Sequence, residues 1–204
     1  HYDLNSMASF AAFLQSYLAV RLDGATVFTG INLLDARNGY TTTISGTHTL
    51  GVVLSGQTDP ALTLPLNAED EHAYSLIVPG GNLAETLIVN DDNAMPIAFN
   101  SARLRLINTA AQAPAAFDVS VDGAAWVNGS VFKAVSDYRE LAAGSHTVEV
   151  RNASDQTVLA TQVIALDEGG VYSLFASDYI SDTEYMLNLS ILPVLDEQYR
   201  ITTI

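Results

Sequence analysis

Cysteine is missing from this 204-residue chain. Its absence excludes disulfides, thiolate metal sites and cysteine nucleophiles. Positive charge is scarce as well, since 8 Lys and Arg residues stand against 23 Asp and Glu residues and the net charge is −15. Such a surface repels phosphate backbones, so we expect no nucleic-acid partner. No apolar run reaches the roughly 18 residues of a membrane span, so we expect no transmembrane segment.

The acidic residues form three short clusters, which invite a metal interpretation. A calcium loop needs six to eight converging oxygens, normally from alternating acidic positions around a glycine turn. None of the clusters has that pattern, and we interpret them as solvated loops. A low-affinity calcium ion near Asp91 is the alternative. The clusters are Glu69-Asp70-Glu71, Asp91-Asp92-Asn93 and Asp167-Glu168.

Helix signals are scarce too, and the clearest pattern in the chain is an internal repeat. Several short motifs recur in the same order after a shift of 98 or 99 residues. The spacing predicts two domains, residues 1–98 and residues 99–204, the second ending in a strand-like tail. The recurring pairs are Leu22-Asp23-Gly24 with Val121-Asp122-Gly123, Gly46-Thr47-His48-Thr49 with Gly144-Ser145-His146-Thr147, Tyr40 with Tyr138, and Tyr74-Ser75-Leu76 with Tyr172-Ser173-Leu174.

Each copy has the period-2 alternation of half-buried strands. Phe117, Val119 and Val121 alternate with polar residues and precede an Asp-Gly turn, after which a partner strand returns. Residues 7–14 are also expected to form a strand. With seven to nine short strands in each copy, the sequence predicts an all-β fold of two tandem immunoglobulin-like antiparallel β-sandwich domains.

The second copy contains an ordered series of motifs, at residues 102–109 (ARLRLINT), 113–114 (AP), 118–123 (DVSVDG), 135–138 (VSDY) and 143–151 (AGSHTVEVR). In this order the motifs resemble a bacterial family known as domain of unknown function 4397. The resemblance covers most of residues 102–176, whereas the first copy lacks the matching opening. It implies exported, often duplicated β-sandwich modules without an assigned activity, and it carries over no functional residues.

A search for catalytic residues finds no complete set, and we predict no enzyme, no cofactor and no metal. His48 and His146 are repeat-equivalent strand-edge residues, which we interpret as structural. We expect neither of them to have the fixed acid partner and the nucleophile that a hydrolase triad needs. The glycine pairs at residues 80–81 and 169–170 precede no helix, so we interpret them as turns rather than phosphate loops.

One enzymatic rival depends on His1. A free N-terminal histidine can bind copper through its amine and ring, and copper-dependent polysaccharide monooxygenases resemble this outline. No other residue pattern supports it. A chain that starts at His1 also suits a mature protein whose signal peptide has been removed, so we expect an extracellular or cell-surface location.

The leading hypothesis is a structural or adhesion-type module whose partner is itself or another surface component. The last residues are strand-like, and we expect Tyr199, Ile201 and Ile204 to take part in assembly, as a filament or surface polymer. The alternative is a carbohydrate or small-ligand module. That role would use Trp126, the one tryptophan, which we expect to lie in the core.

Overall fold

The computed structural model describes residues 18–31, 40–70, 72–79, 82–92, 97–112, 114–181 and 184–194. Within these ranges the chain forms β-strands and short 3-10 turns such as Leu83–Glu85, so the predicted all-β class is confirmed. The strands are β1 (Leu18–Leu22), β2 (Ala25–Ile31), β3 (Gly46–Leu54), β4 (Leu62–Ala68), β5 (Tyr74–Ile77), β6 (Leu87–Asn90), β7 (Ser101–Asn108), β8 (Phe117–Val121), β9 (Ala124–Ser130), β10 (Arg139–Ala142), β11 (Gly144–Asn152), β12 (Val158–Leu166), β13 (Val171–Ser181) and β14 (Glu184–Pro193).

The chain divides into two compact units. Of the described residues, those up to Ala73 belong to the first unit and those from Tyr74 onward belong to the second. Hairpin β5–β6 therefore groups with the second unit, although the repeat motifs assign it to the first copy. The sequence boundary between residues 98 and 99 stays a prediction, and the expected strand at residues 7–14 lies outside the described residues.

The first unit contains an antiparallel sheet with the strand order β2-β1-β3-β4. Strands β1 and β2 are joined by Asp23 and Gly24, whose φ angles are +49° and +84°. A two-residue hairpin turn of this kind needs positive φ at both positions, which aspartate tolerates and glycine adopts without strain. Leu18 and Val20 alternate inward from β1, as the period-2 pattern predicts.

The second unit repeats that sheet and adds a second one. The order β9-β8-β11-β12 matches β2-β1-β3-β4 strand for strand, and Asp122-Gly123 again forms the hairpin turn, with φ angles of +52° and +76°. The other sheet has the order β10-β7-β13-β14. Its pairs are antiparallel except β7 with β13, which run parallel. The internal repeat inferred from sequence is thus visible in the topology.

The core of the second unit lies between its two four-stranded sheets. Phe117, Val119 and Val121 point inward from β8 and are at most 2% exposed. Burying one such side chain contributes about 1.5–3 kcal/mol, and truncating Phe117 to alanine would cost about 3–5 kcal/mol. The remaining members of the core are Ala102, Leu104, Leu106, Ala110, Val148, Val150, Ile164, Leu166, Leu174, Ala176, Leu187 and Leu189.

The register of the second sheet aligns three strands in rows. Tyr172 of β13 lies between Leu104 of β7 and Pro193 of β14. The chain enters this sheet at Ser101 and leaves it at Pro193, and this row places both points at the same end of the strands.

Candidate functional site

His48 joins the β1–β2 turn to the segment that precedes β3. Its Nδ1 lies 2.6 Å from Oδ2 of Asp23, and its Nε2 lies 2.8 Å from the carbonyl oxygen of Ile44. The other oxygen of Asp23 accepts a hydrogen bond of 2.8 Å from the N–H of Thr49. The His48 side chain is 8% exposed. The turn aspartate is therefore fixed from two directions.

His146 makes the same arrangement in the second unit. Its Nδ1 lies 2.7 Å from Oδ2 of Asp122, and its Nε2 lies 2.7 Å from the carbonyl oxygen of Ala142. The N–H of Thr147 donates to the second oxygen of Asp122 across 2.8 Å. Because Ala142 ends β10 and Asp122 follows β8, His146 ties one sheet of the sandwich to the other. We call this pair of arrangements the His–Asp clamps.

The clamps favour a protonated imidazole. A carboxylate and a carbonyl only accept hydrogen bonds, so both ring nitrogens must donate, which requires the imidazolium. The hydrogen bond to Asp23, followed by that to Ile44, raises the pKa of His48. Burial is the largest single influence on His146 and opposes its charge. The bonds to Asp122 and Ala142 together outweigh burial and raise its pKa.

The pKa values of the two clamp aspartates are shifted in the opposite direction. The hydrogen bond from His48, and then the one from the Thr49 backbone, lowers the pKa of Asp23. The equivalent bonds from His146 and Thr147 lower the pKa of Asp122. Each clamp is therefore an ion pair supported by hydrogen bonds at mildly acidic pH.

The expectation that these histidines lack a fixed acid partner is wrong, since Asp23 and Asp122 fill that place. The geometry nevertheless differs from a hydrolase triad. There, Nε2 faces a nucleophile, whereas here it donates to a main-chain carbonyl. The sequence does contain a signal for this His–Asp pairing. The Asp-Gly motif and the Gly-x-His-Thr motif recur together at nearly the same offset.

A second polar cluster is centred on Arg105, whose guanidinium is nearly inaccessible to water. Its Nε donates to Oγ of Ser173 across 2.8 Å, one terminal nitrogen donates to the carbonyl of Asn90 across 2.7 Å, and the other pairs with Asp91. The other carboxylate oxygen of Asp91 accepts a 2.5 Å bond from the hydroxyl of Ser75. Both oxygens that the calcium alternative would need are thus already engaged.

Tyr138 covers the guanidinium of Arg105, which lies 4.9 Å from the centre of the tyrosine ring. Burial raises the pKa of Tyr138 to about 12, and the positive charge of Arg105 only partly opposes this. An open groove of about 530 Å³ borders the cluster and is also lined by Asp92, Val135 and Asp137. Every guanidinium nitrogen donates within the protein, so the cluster joins β7 and β13 to the end of β6.

The other sequence candidates do not converge on a site. The backbone N–H of Asn100 donates to Glu168 across 2.9 Å, so this acidic residue caps a loop. Trp126 is partly buried and packs against the hydrophobic core, as expected. Across the described ranges, no group of three His, Asp or Glu side chains is placed to hold a metal ion. His1, Tyr199, Ile201 and Ile204 lie outside the described residues.

Comparison with known families gives the chain its place. The family model described as domain of unknown function (DUF4397) matches residues 15–116 and again residues 115–202. The chain belongs to the DUF4397 family. The two matches follow one another along the sequence, which agrees with tandem DUF4397 domains. No curated protein matches the chain.

The solved structures include a similar protein, a candidate cell adhesion protein from Bacteroides ovatus ATCC 8483. It is 12% identical, and the alignment covers 90% of this DUF4397 chain and 89% of that protein with a TM-score of 0.25. A likeness of this size carries no functional argument. In the part of the chain that the structure describes, no helix is long and apolar enough to cross a bilayer.

Proposed function

We propose that the chain is a non-enzymatic, extracytoplasmic structural or adhesion-type module that associates with copies of itself or with other cell-surface components. The main support for this proposal is that the same structural features occur in both units. The same strand order and the same His–Asp clamp occur in both units, and each clamp fixes the turn between two strands. A duplicated domain whose hairpin turn is fixed in both copies suits a structural building block.

The polar clusters support a structural role over a catalytic one. Catalytic groups need a free acceptor or donor that faces the substrate. In the clamps the ring nitrogens and both carboxylate oxygens are engaged within the protein, and the guanidinium of Arg105 is similarly engaged. These groups stabilise the fold, so we expect replacement of His48 or His146 to change stability rather than a reaction rate.

The acidic surface fits the proposed location. A net charge of −15 gives solubility and repels nucleic acids and anionic membrane surfaces, which leaves proteins and neutral polymers as partners. In this proposal the chain is exported, and self-association uses an open strand edge or the terminal segment at residues 199–204.

The location can be tested with antibodies against the full chain on cells of the producing organism. We expect labelling of intact cells, with no increase after permeabilisation, and a cytoplasmic enzyme serves as the control for leakage. Labelling that appears only after permeabilisation would exclude a surface module.

Adhesion can be tested with beads that carry the full chain or a variant lacking residues 196–204. We expect the full-chain beads to cluster or to bind the producing cells, and beads that carry serum albumin to do neither. If the full-chain beads behave like the albumin beads, the adhesion proposal fails. Loss of clustering on truncation would assign the contact to the tail.

A further inference from the structure

Strand β12 is a long open edge without charge. It spans nine residues, Val158–Leu166, and contains no Asp, Glu, Lys or Arg. It is the last strand of its sheet, and no further strand of the described chain joins it. Val163 is 65% exposed near its middle. Natural edge strands usually carry a charge, a proline or a bulge, because an unprotected edge invites another strand. β12 has no charge and no proline, and its ladder with β11 is irregular only at its start, between Val158 and Ala160, so residues 161–166 form a regular edge.

The hydrogen bonds of Thr147 show which residues of β12 direct their backbone outward. The N–H of Thr147 donates to Asp122, and its carbonyl accepts from the N–H of Asp122, so both groups point toward β8. Val163 lies opposite Thr147 in the β11–β12 ladder. Facing residues of an antiparallel pair either bond each other or both turn away, so Val163 directs its N–H and carbonyl to the open side.

The equivalent edge in the first unit is closed by a proline. Pro65 of β4 lies opposite Thr49, and Thr49 makes the same two bonds to Asp23 that Thr147 makes to Asp122. Pro65 therefore occupies the register position of Val163. Proline has no N–H to offer an incoming strand, so its place on an edge blocks strand addition. The two copies of one strand thus differ at the residue that decides whether the edge can pair.

We propose that the open edge of β12 is a self-association surface, at which two copies of the chain pair their β12 strands antiparallel about a two-fold axis at Val163. This inference rests on the self-association proposed above and names its surface. The pairing places Val163 against its own copy and Thr161 against Ala165, so no charges meet. In a chain with a net charge of −15, an edge without charge is where two copies approach at the lowest electrostatic cost.

The contact is expected to be weak. Three facing pairs exchange about six backbone hydrogen bonds. Strand addition of this length buries less surface than the roughly 1,200–2,000 Å² of a standard interface, so we expect a dissociation constant in the micromolar to millimolar range. Such a contact is populated when copies are concentrated at a surface or joined along a polymer.

The test is sedimentation equilibrium of the full chain from about 10 μM to 1 mM. We expect a monomer–dimer equilibrium in the unaltered protein and at least a tenfold higher dissociation constant for Val163→Pro. The fold should tolerate this proline, because Pro65 stands at the same register position. If the proline variant fails to fold, Val163→Lys replaces it in the test. This variant keeps the backbone N–H but adds a charge to the edge, so it should also weaken dimerisation. Val131→Lys is the matched control, since Val131 is also an exposed valine, at 52%, and lies off the edge.

Each outcome decides for or against the β12 edge. A monomer at 1 mM, or Val163→Pro and Val163→Lys variants that dimerise like the unaltered chain, would overturn the inference. Dimerisation that is lost only on removal of residues 196–204 would overturn it too and would assign the contact to the tail, leaving the proposed function intact. An edge-dependent dimer in a protein absent from the cell surface would keep the inference and remove the surface role.

Discussion

Arg105 and Asp91 form an ion pair whose side chains are 3% and 0% exposed. Such a pair contributes little compared with an apolar replacement of both residues, yet removing one member leaves a buried charge without its partner. We expect Asp91→Ala to lower the free energy of unfolding by about 3–5 kcal/mol. Urea unfolding monitored by circular dichroism measures this loss.

A double variant, Arg105→Met with Asp91→Leu, is the control for the ion pair. It removes both charges and should recover most of the stability lost in Asp91→Ala. A single variant that unfolds within about 1 kcal/mol of the unaltered protein would contradict a buried pair, because surface pairs are worth that little.

Because of the His–Asp clamps, we expect the free energy of unfolding to fall as the pH rises above about 6.5. The pKa values of His48 and His146 are raised in the fold, so their contribution is complete below the ordinary histidine value of 6.5 and is lost as the pH rises through the folded-state values. The pKa values of Asp23 and Asp122 are lowered, so their contribution is present above 3.8 and disappears as the pH falls through the folded-state values.

Thermal unfolding between pH 3 and pH 9 measures this dependence. We expect the highest melting temperature between about pH 4 and 6.5. In a His48→Gln, His146→Gln variant the decline above pH 6.5 should be smaller, because no imidazolium remains to lose its proton. An unchanged slope in that variant would mean that other groups cause the decline.

Gly170 lies against the ring of Tyr172, so a side chain at position 170 requires the ring to move. A Cβ atom at position 170 would stand 2.5 Å from Cε2 of the Tyr172 ring. Gly170→Ala should therefore force the ring aside and destabilise the protein by about 1–3 kcal/mol, the usual cost of overpacking. Chemical denaturation of Gly170→Ala, Tyr172→Ala and the double variant measures the coupling, which vanishes if the contact is not the cause.

Trp126 gives a direct optical test of the carbohydrate alternative, because it is the one tryptophan in the chain. We expect its fluorescence to stay constant on addition of soluble oligosaccharides. Val27 lies three residues after Gly24, as Trp126 lies three residues after Gly123, so the two positions are repeat-equivalent. Trp126→Val, which copies the first unit, should cost about 1–2 kcal/mol through lost packing. Saturable quenching by one oligosaccharide class would support the alternative and speak against the packing role.

The strands were predictable because their cause is local. The alternation of Phe117, Val119 and Val121, followed by Asp122-Gly123, specifies a hairpin with a buried face without reference to any distant residue. The same motif in the first copy predicted β1, its turn and β2. The lengths of the strands were less predictable. β13 and β14 span 11 and 10 residues, and both extend beyond the run of apolar residues that marks each strand in the sequence.

The polar clusters were harder to predict because they join distant parts of the chain. Asp122 and His146 are 24 residues apart, and only the strand register brings them into contact. Arg105 contacts Asp91 because β5–β6 belongs to the second unit. The sequence repeat assigns that hairpin to the first copy, so it did not predict the contact. The parallel pairing of β7 with β13 also has no local signal, because it depends on the order of strands in the sheet.

The shared end at which the chain enters and leaves the second sheet has a mechanical consequence. A tension applied between Ser101 and Pro193 pulls β14 away from β13 beginning at the pair formed by Pro193 and Tyr172. The hydrogen bonds are then loaded one after another, as in a zipper, rather than all together as in shear. β14 is the element that yields first, while the parallel rows of β7 and β13 stay intact. Because β14 contributes Leu187 and Leu189 to the core, the module lengthens by one strand and opens one side of its core in the same step.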